Sequence, residues 1–347
     1  MKVYMLTLLS VLLLASVSSM LLWHFFTYSD EAAIYLSKLK QNPVNSKDRG
    51  IIDKLLASYS QTWVKQEKNF KSFRSLLGSS CNAISNAVVT QDNSPVGTNI
   101  TFDGEKKRIM VVTPDLFNLF PKENPFKGAP WQSCAVVGNG GILANSSCGK
   151  QINSATYVIR CNLPPVSNEH EKDTGTKTNL VTANPSILFR RYQSLTERRR
   201  PFVKDMQLYG NALIFLPAFS FGMNTAVSLR ALYSLEDHSS SSQHVVFFNP
   251  SYLKSLAHFW HGQGLREVRL STGIMMASLA LELCNNVHLY GFWPFQSHPY
   301  TYQQLTNHYY DNQPVSKVMH SMPAEFETLL NLHNKGVIHL HLGECTN

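Results

Sequence analysis

CAVVGNGGIL, residues 134–143, and RCN, residues 160–162, bound the segment on which the reading of this chain turns. A short apolar run, Ala135-Val136-Val137, breaks into Gly138-Asn139-Gly140-Gly141. Glycines in such density cost conformational entropy, and are useful only where the backbone turns tightly or something large approaches it. A strand running into a glycine turn is how many α/β folds present backbone N–H groups to a phosphate. The dinucleotide fingerprint wants a further spaced glycine, and Leu143 stands at that place. On this stretch alone two readings stand: a phosphate cradle, or a tight strand-to-helix turn with no ligand.

Outward from it, short apolar runs alternate with helical patterns. Strands are expected at 109–112, 134–137, 157–160, 180–182, 212–216, 245–248, 287–290 and 337–342, and helices at 141–152, 252–262, 273–284 and 323–335. That alternation predicts an α/β fold with a mostly parallel sheet flanked by helices on both faces. Ligands of such sheets sit at the carboxyl ends of the strands, where GNGG falls.

The chain has 347 residues, 44% hydrophobic and 16% charged, enough for one sizeable globular domain with appendages. From Val3 to Phe26 there is no Asp, Glu, Lys or Arg, and at about 1.5 Å per residue such a run spans a hydrocarbon core of about 30 Å. Lys2 precedes it and Asp30-Glu31 follow, which favours a cytosolic N-terminus with the rest across the membrane. A cleaved signal peptide is the rival reading; its apolar region is shorter, about 7–15 residues. Small residues at 15–19 fit a cleavage site, but Met20-Leu21-Leu22-Trp23 continues the apolar run. The expected organisation is a cytoplasmic tail (1–3), a transmembrane signal anchor (4–26), a stem (27–90) and a luminal domain (91–347). Sequons at Asn99 and Asn145 and six cysteines suit a secretory lumen. The +8 charge would suggest nucleic acid in a nuclear protein. Behind a membrane anchor, anionic sugars, nucleotide sugars and lipid headgroups are the more economical partners.

Three further stretches carry polar groups at places suited to chemistry. Ser271-Thr272-Gly273 meets an apolar helix, a position that serves either an ordinary N-cap or a phosphate. The run 287–295, VHLYGFWPF, ends a strand in Gly291-Phe292-Trp293-Pro294, where an aromatic is either core or a platform for a base or sugar. HYYD at 308–311 is followed by HSMPAE at 320–325. Pro323 suits a first helical turn, which sets His320 just ahead of a helix N-terminus. The positive helix end disfavours imidazolium, so His320 can stay neutral and act as a general base. No DxD, HExxH, GxSxG or P-loop pattern occurs, and no metal site is expected.

Together these stretches resemble the four sialyl motifs of the animal sialyltransferases. Residues 134–165 resemble the large motif, 270–295 the small motif, 308–311 the third motif, and 320–325 the very small motif in its H-x4-E form. The order and spacing match over more than half the chain. The wording of GNGGIL, KDTGTKTNLVTANPSI (172–187), LPAFSF (216–221) and YGFWPF looks like the α2,8-sialyltransferase branch, most of all its type VI, which extends sialylated O-glycans. Types I and V, which build gangliosides, are close.

The resemblance implies an inverting, metal-independent transfer from CMP-sialic acid as co-substrate, with no cofactor, in a GT-A-like variant fold. It implies donor contacts at Asn139, Asn162, Ser271, Thr272, Gly273 and Trp293. His308 would lie near the donor phosphate, and His320 would take the proton from O8 of a terminal sialic acid on a glycoprotein or glycolipid acceptor. It implies disulfides Cys134–Cys284 and Cys148–Cys345, and a single-pass type II protein of the Golgi membrane with no nucleic-acid partner. Cys81 and Cys161 are left to pair with each other, stay reduced, or join two chains as a homodimer. Many relatives carry His-His-Tyr-Tyr in the third motif, where this chain has Asn307 before His308. The alternatives are a ganglioside α2,8-sialyltransferase and a catalytically silent sialoglycan-binding relative.

Overall fold

A computed structural model describes residues 46–59, 62–238, 244–266, 269–311, 313 and 322–345, together with Met20. The expected anchor at 4–26, apart from Met20, lies outside them. Among the described residues no helix is long and apolar enough to cross a membrane.

Continuous apolar runs form the sheet. Strands β1 (Asn99–Thr101) and β2 (Ile109–Val111) make a separate antiparallel pair. The main sheet contains β3 (Cys134–Val137), β4 (Tyr157–Arg160), β5 (Leu180–Thr182), β6 (Leu213–Leu216), β7 (His244–Phe247), β8 (Val287–Tyr290) and β9 (His339–His341). Its order is β7-β6-β5-β4-β3-β8-β9, and every pairing is parallel. Strands buried on both faces need apolar residues at odd and even positions alike. In β3, Cys134 and Val136 enter one core, while Ala135 and Val137 enter another on the opposite face. The expected α/β class holds, with one correction: the run at 109–112 joins Asn99–Thr101 and not the parallel sheet.

The chain builds outward from β3 to β7, then returns to the other side of β3 for β8 and β9. The order therefore reverses between β3 and β8, the kind of switch point at which open α/β sheets bind ligands. GNGG at the end of β3 and Gly291 at the end of β8 meet there.

The spacing of Ile51-Ile52 and Leu55-Leu56 predicts a short amphipathic helix, and one is present, followed by a second. Helix α1 (Ser46–Ser58) buries Ile52, and α2 (Glu67–Cys81) buries Phe70, Leu77 and Cys81 along one stripe. Glu282 fastens this region to the body: its carboxylate accepts from Ala83 N at 2.7 Å and from Tyr252 Oη at 3.2 Å. Burial pushes that carboxyl up to about 7. The compact body thus includes much of the segment expected as stem. A second correction concerns 141–152. The chain makes a single 3-10 turn at Gly141–Leu143, takes left-handed backbone at Asn145 (φ 63°) and Ser147 (φ 54°), and only then forms α3 (Gly149–Ser154). Helix α4 (Pro250–Gly262) is capped by Asn249, whose side chain accepts from Ser251 N, and has Pro250 in its first turn.

Both disulfides, Cys134–Cys284 and Cys148–Cys345, are present. Cys81 and Cys161 are unpaired and buried, and burial pushes both thiols up to about 12. An interchain bridge through either would have to open the core. The sequon residues Asn99 and Asn145 are exposed.

Candidate functional site

The glycines of GNGG are required by close approach of other backbone. A Cβ on Gly138 would lie 2.9 Å from Gly291 O, and one on Gly140 only 2.6 Å from it. Gly291 has φ +73°, a conformation open to glycine and costly for other residues. One on Gly141 would run into Thr306 O. The turn after β3 is therefore packed against the end of β8 and the loop before His308. Gly140 forms an isolated bridge with His308, and Tyr309 N donates to Asn139 O at 3.0 Å. Large, small and third motifs converge through main chain.

Asn139 sits in the middle of this junction. Its Nδ2 donates to Cys161 O at 2.7 Å, beside Asn162. Its Oδ1 is buried and has no hydrogen-bond partner among the described residues. An unmatched buried acceptor costs about 1–3 kcal/mol, so its presence suits a donor supplied by a bound molecule.

A polar chain ties the next strand ends together. Asn162, in left-handed backbone at φ 62°, donates its N–H to Thr182 Oγ1 at 2.9 Å. Its Oδ1 accepts from Asn184 N at 2.9 Å, and Asn184 Oδ1 accepts from Thr272 Oγ1 at 3.1 Å. Asn162 and Asn184 follow β4 and β5, and Thr272 opens α5 (Thr272–Leu283). Three loops are thus fixed by two carboxamides and two hydroxyls, those of Thr182 and Thr272.

Ser271 is the N-cap of α5, its Oγ accepting from Ile274 N at 3.2 Å. The capping reading of this residue is met, and a further contact adds to it. Ser271 N donates to Glu325 Oε1 at 2.7 Å, and Ser271 Oγ donates to Glu325 Oε2 in a short hydrogen bond. Glu325 is 3% exposed and lies in the first turn of α6 (Met322–Asn334). The first turn of α5 offers its amide N–H groups and the positive end of its dipole to an anion.

His308 is held by Asp311, whose Oδ2 lies 2.6 Å from Nδ1 while Oδ1 accepts from His308 N at 3.1 Å. The ring stacks on Tyr310 with centroids 5.1 Å apart, and Asn307 Nδ2 lies 3.1 Å from Nδ1. A carboxylate on Nδ1 fixes the ring's orientation, and the other ring nitrogen, Nε2, lies 3.3 Å from Asn307 Nδ2. Trp293 is 6% exposed, packs edge-on to Phe326, and donates Nε1–H to Ser297 O at 2.8 Å. Phe292, half-buried, is the aromatic that lies against Gly273. His320 lies outside the described residues.

The structure therefore brings together Asn139, Asn162, Ser271, Thr272, Gly273 and His308 around the carboxyl ends of β3, β4, β5 and β8. Sequence reasoning gave no role to Asn184, Asp311 or Glu325, although each stood inside a quoted stretch. The pairings of Asn184 with Thr272 and Asn162, and of Glu325 with Ser271, are visible only once the fold is formed, whereas Asp311 stands three residues from His308.

The arrangement agrees with comparisons across known proteins. Residues 86–337 match the family described as glycosyltransferase family 29 (sialyltransferase). Alpha-2,8-sialyltransferase 8F of Homo sapiens is 46% identical over 285 residues, 82% of this chain and 71% of that protein. Alpha-2,8-sialyltransferase 8E of Mus musculus is 45% identical over 283 residues, 82% of this chain and 68% of that protein. Among solved structures, a mammalian sialyltransferase in complex with Gal-beta-1-3GalNAc-ortho-nitrophenol aligns over 88% of this chain and 98% of that one, at 18% identity and a TM-score of 0.43. With the family match covering most of the chain and the motif residues converging on one set of strand ends, the protein belongs to glycosyltransferase family 29, the sialyltransferases.

Proposed function

We propose that this sialyltransferase moves sialic acid from CMP-sialic acid to O8 of a terminal sialic acid on glycoprotein glycans, above all sialylated O-glycans, with inversion and without a metal. The observation that carries the reading is the joined set Asn162–Asn184–Thr272 and Ser271–Glu325, which fixes the head of α5 beside the unmatched Asn139 Oδ1. The relatives' names supply the α2,8 linkage.

In this reading Asn139, Asn162 and the first turn of α5 hold the CMP part. His320 removes the proton from the acceptor O8 as that oxygen attacks the anomeric carbon from the face opposite the phosphate. The new C–O bond forms as the bond to the phosphate oxygen breaks, its electron pair leaving with CMP. His308, oriented by Asp311, stabilises the negative charge on the departing phosphate. CMP is already an adequate leaving group, so a base on one side and charge stabilisation on the other suffice. The enzyme works in the Golgi lumen, behind the anchor at 4–26.

The test is an acceptor panel with CMP-sialic acid. Sialylated O-glycoproteins are expected to exceed a ganglioside bearing a terminal sialic acid by about tenfold in kcat/KM. The reverse order would move the chain to the ganglioside-building class. Donor binding without turnover on any acceptor would make it a silent relative. The same assay in excess EDTA, run well below the thermal midpoint, is expected to keep its rate; loss restored by Mg²⁺ or Mn²⁺ would contradict the mechanism.

The link between α5 and α6 gives a separate prediction. Glu325→Ala strands the buried Ser271 N–H and removes the partner of its hydroxyl, costing about 1–3 kcal/mol. The thermal midpoint is expected to fall and the KM for donor to rise, while CMP calorimetry reports the weakened site. An unchanged donor KM would separate Glu325 from donor binding.

A further inference from the structure

Strands β8 and β9 lie at one edge of the sheet, and alternation sends Val287, Leu289 and Leu340 into the core on one face. His288, Tyr290, His339 and His341 take the opposite face. Register sets His288 across from His339 and Tyr290 across from His341. Three imidazoles thereby meet on two adjacent strands, one ligand nitrogen from each lying within 4.8 Å of the others.

The geometry points to a site for a borderline transition-metal dication, Zn²⁺ foremost, held by His288, His339 and His341. His288 Nδ1 and His341 Nε2 are 3.1 Å apart. Two nitrogens at 2.0–2.1 Å from a tetrahedral zinc are roughly 3.3 Å apart, so this pair already spans one edge of the polyhedron. Imidazole suits zinc, copper and nickel, and disfavours magnesium and calcium, which want oxygen. With three protein ligands the fourth position is left to water.

The surroundings hold the rings in place. Trp63 stacks on His339 at 4.6 Å and 5° between planes, and Tyr290 stacks on His341 at 4.2 Å and 9°. Among the described residues, the contact between His288 and His341 is the one side-chain hydrogen bond these three rings make. Burial lowers all three from the usual histidine range, His339 to about 4 and His341 well below that range, and repulsion from neighbouring histidines adds to it at His339 and His341. Neutral rings keep lone pairs available, so protons compete weakly for the metal. None of the three histidines is assigned to transfer, although His288 stands within the small-motif stretch, and a metal there would fasten edge strand β9 to β8.

The test uses the full chain in detergent, stripped by chelator and titrated with Zn²⁺ alone. One zinc per chain is expected, with a rise of several degrees in the thermal midpoint. The double variant His339→Gln/His341→Gln is expected to bind at least a hundredfold more weakly, while His258→Gln, on an exposed face of α4, binds as the parent does. X-ray absorption of the zinc-loaded parent gives a reading that does not depend on the variant folding: nitrogen at about 2.0–2.1 Å with scattering from three imidazoles. No stoichiometric zinc, equal binding by the double variant, or sulfur or fewer than three imidazoles in the shell overturns the site.

Discussion

His320→Ala is expected to lower kcat by about 10²- to 10⁴-fold, the range that a positioned general base contributes, while CMP affinity changes little. A sugar hydroxyl is a poor nucleophile until its proton is taken, and the proposed mechanism assigns that proton to this histidine alone. The groups assigned to the donor belong to other segments: Asn139 and Asn162 after β3 and β4, and Ser271 to Gly273 at the head of α5. Binding and chemistry should therefore separate in this variant. The measurement is single-turnover transfer with saturating donor and acceptor, beside calorimetric titration with CMP. Transfer at the parental rate removes His320 from the role of base. Loss of CMP binding together with activity would make the residue part of the donor pocket instead. His308→Ala offers a contrast, because a group acting on the leaving phosphate should affect donor binding and turnover together.

Much of the sheet is legible in the sequence because its strands are buried on both faces. Runs such as Ala135-Val136-Val137 and Leu180-Val181 have no second reading as surface. The same clarity is absent at 67–81, where Phe70, Leu77 and Cys81 are the buried stripe of a helix that is otherwise mostly polar, with Phe73 half-buried and Leu76 exposed. Its apolar face makes sense only against α4 and α5, which come much later in the chain. At 141–152 the turn residues Asn145 to Ser147 signal the break, but the apolar Ile142-Leu143 before them suggests an early helix start.

Site residues divide in the same way. Ser271 stands at the end of an element, where local pattern finds it, whereas the roles of Asn139 and Asn162 come from the resemblance to the sialyl motifs. Asn184, Asp311 and Glu325 act through partners, and for Thr272 with Asn184 or Ser271 with Glu325 those partners are remote in sequence. The glycines of GNGG were rightly read as a place where something approaches. What approaches in the structure is Gly291 and Thr306 main chain, so their packing role stands apart from any ligand. The histidines of β8 and β9 carry no metal spacing in sequence, since His288 reaches the others only through strand register.

The double variant Cys134→Ala/Cys284→Ala is expected to lose roughly 10–20 °C of thermal midpoint. The bond links residues 150 apart, and in the chain-entropy treatment closing so long a loop removes about 5 kcal/mol from the unfolded state's advantage. A domain's total stability is only about 5–15 kcal/mol, so this one cross-link is a large share of it. Alanine leaves no polar atom at two positions that are fully buried, which isolates the cross-link from a desolvation cost. Activity should also fall below the melting range, for a geometric reason. Cys134 begins β3 and Cys284 follows the last turn of α5, so the bond joins the lower ends of a strand and a helix that run in opposite directions. Their upper ends carry GNGG and Ser271-Thr272-Gly273. With the base untied, α5 can slide along β3, and the donor-binding ends lose their register; the donor KM is expected to rise before the fold is lost. The Cys148–Cys345 bond offers the comparison, since it ties the C-terminus to the segment ahead of α3 and leaves the β3–α5 pair alone. Its double alanine variant should lose stability while keeping donor KM near the parental value. Equal donor KM in both variants would show that the Cys134–Cys284 bond stabilises the fold without aligning the two motifs.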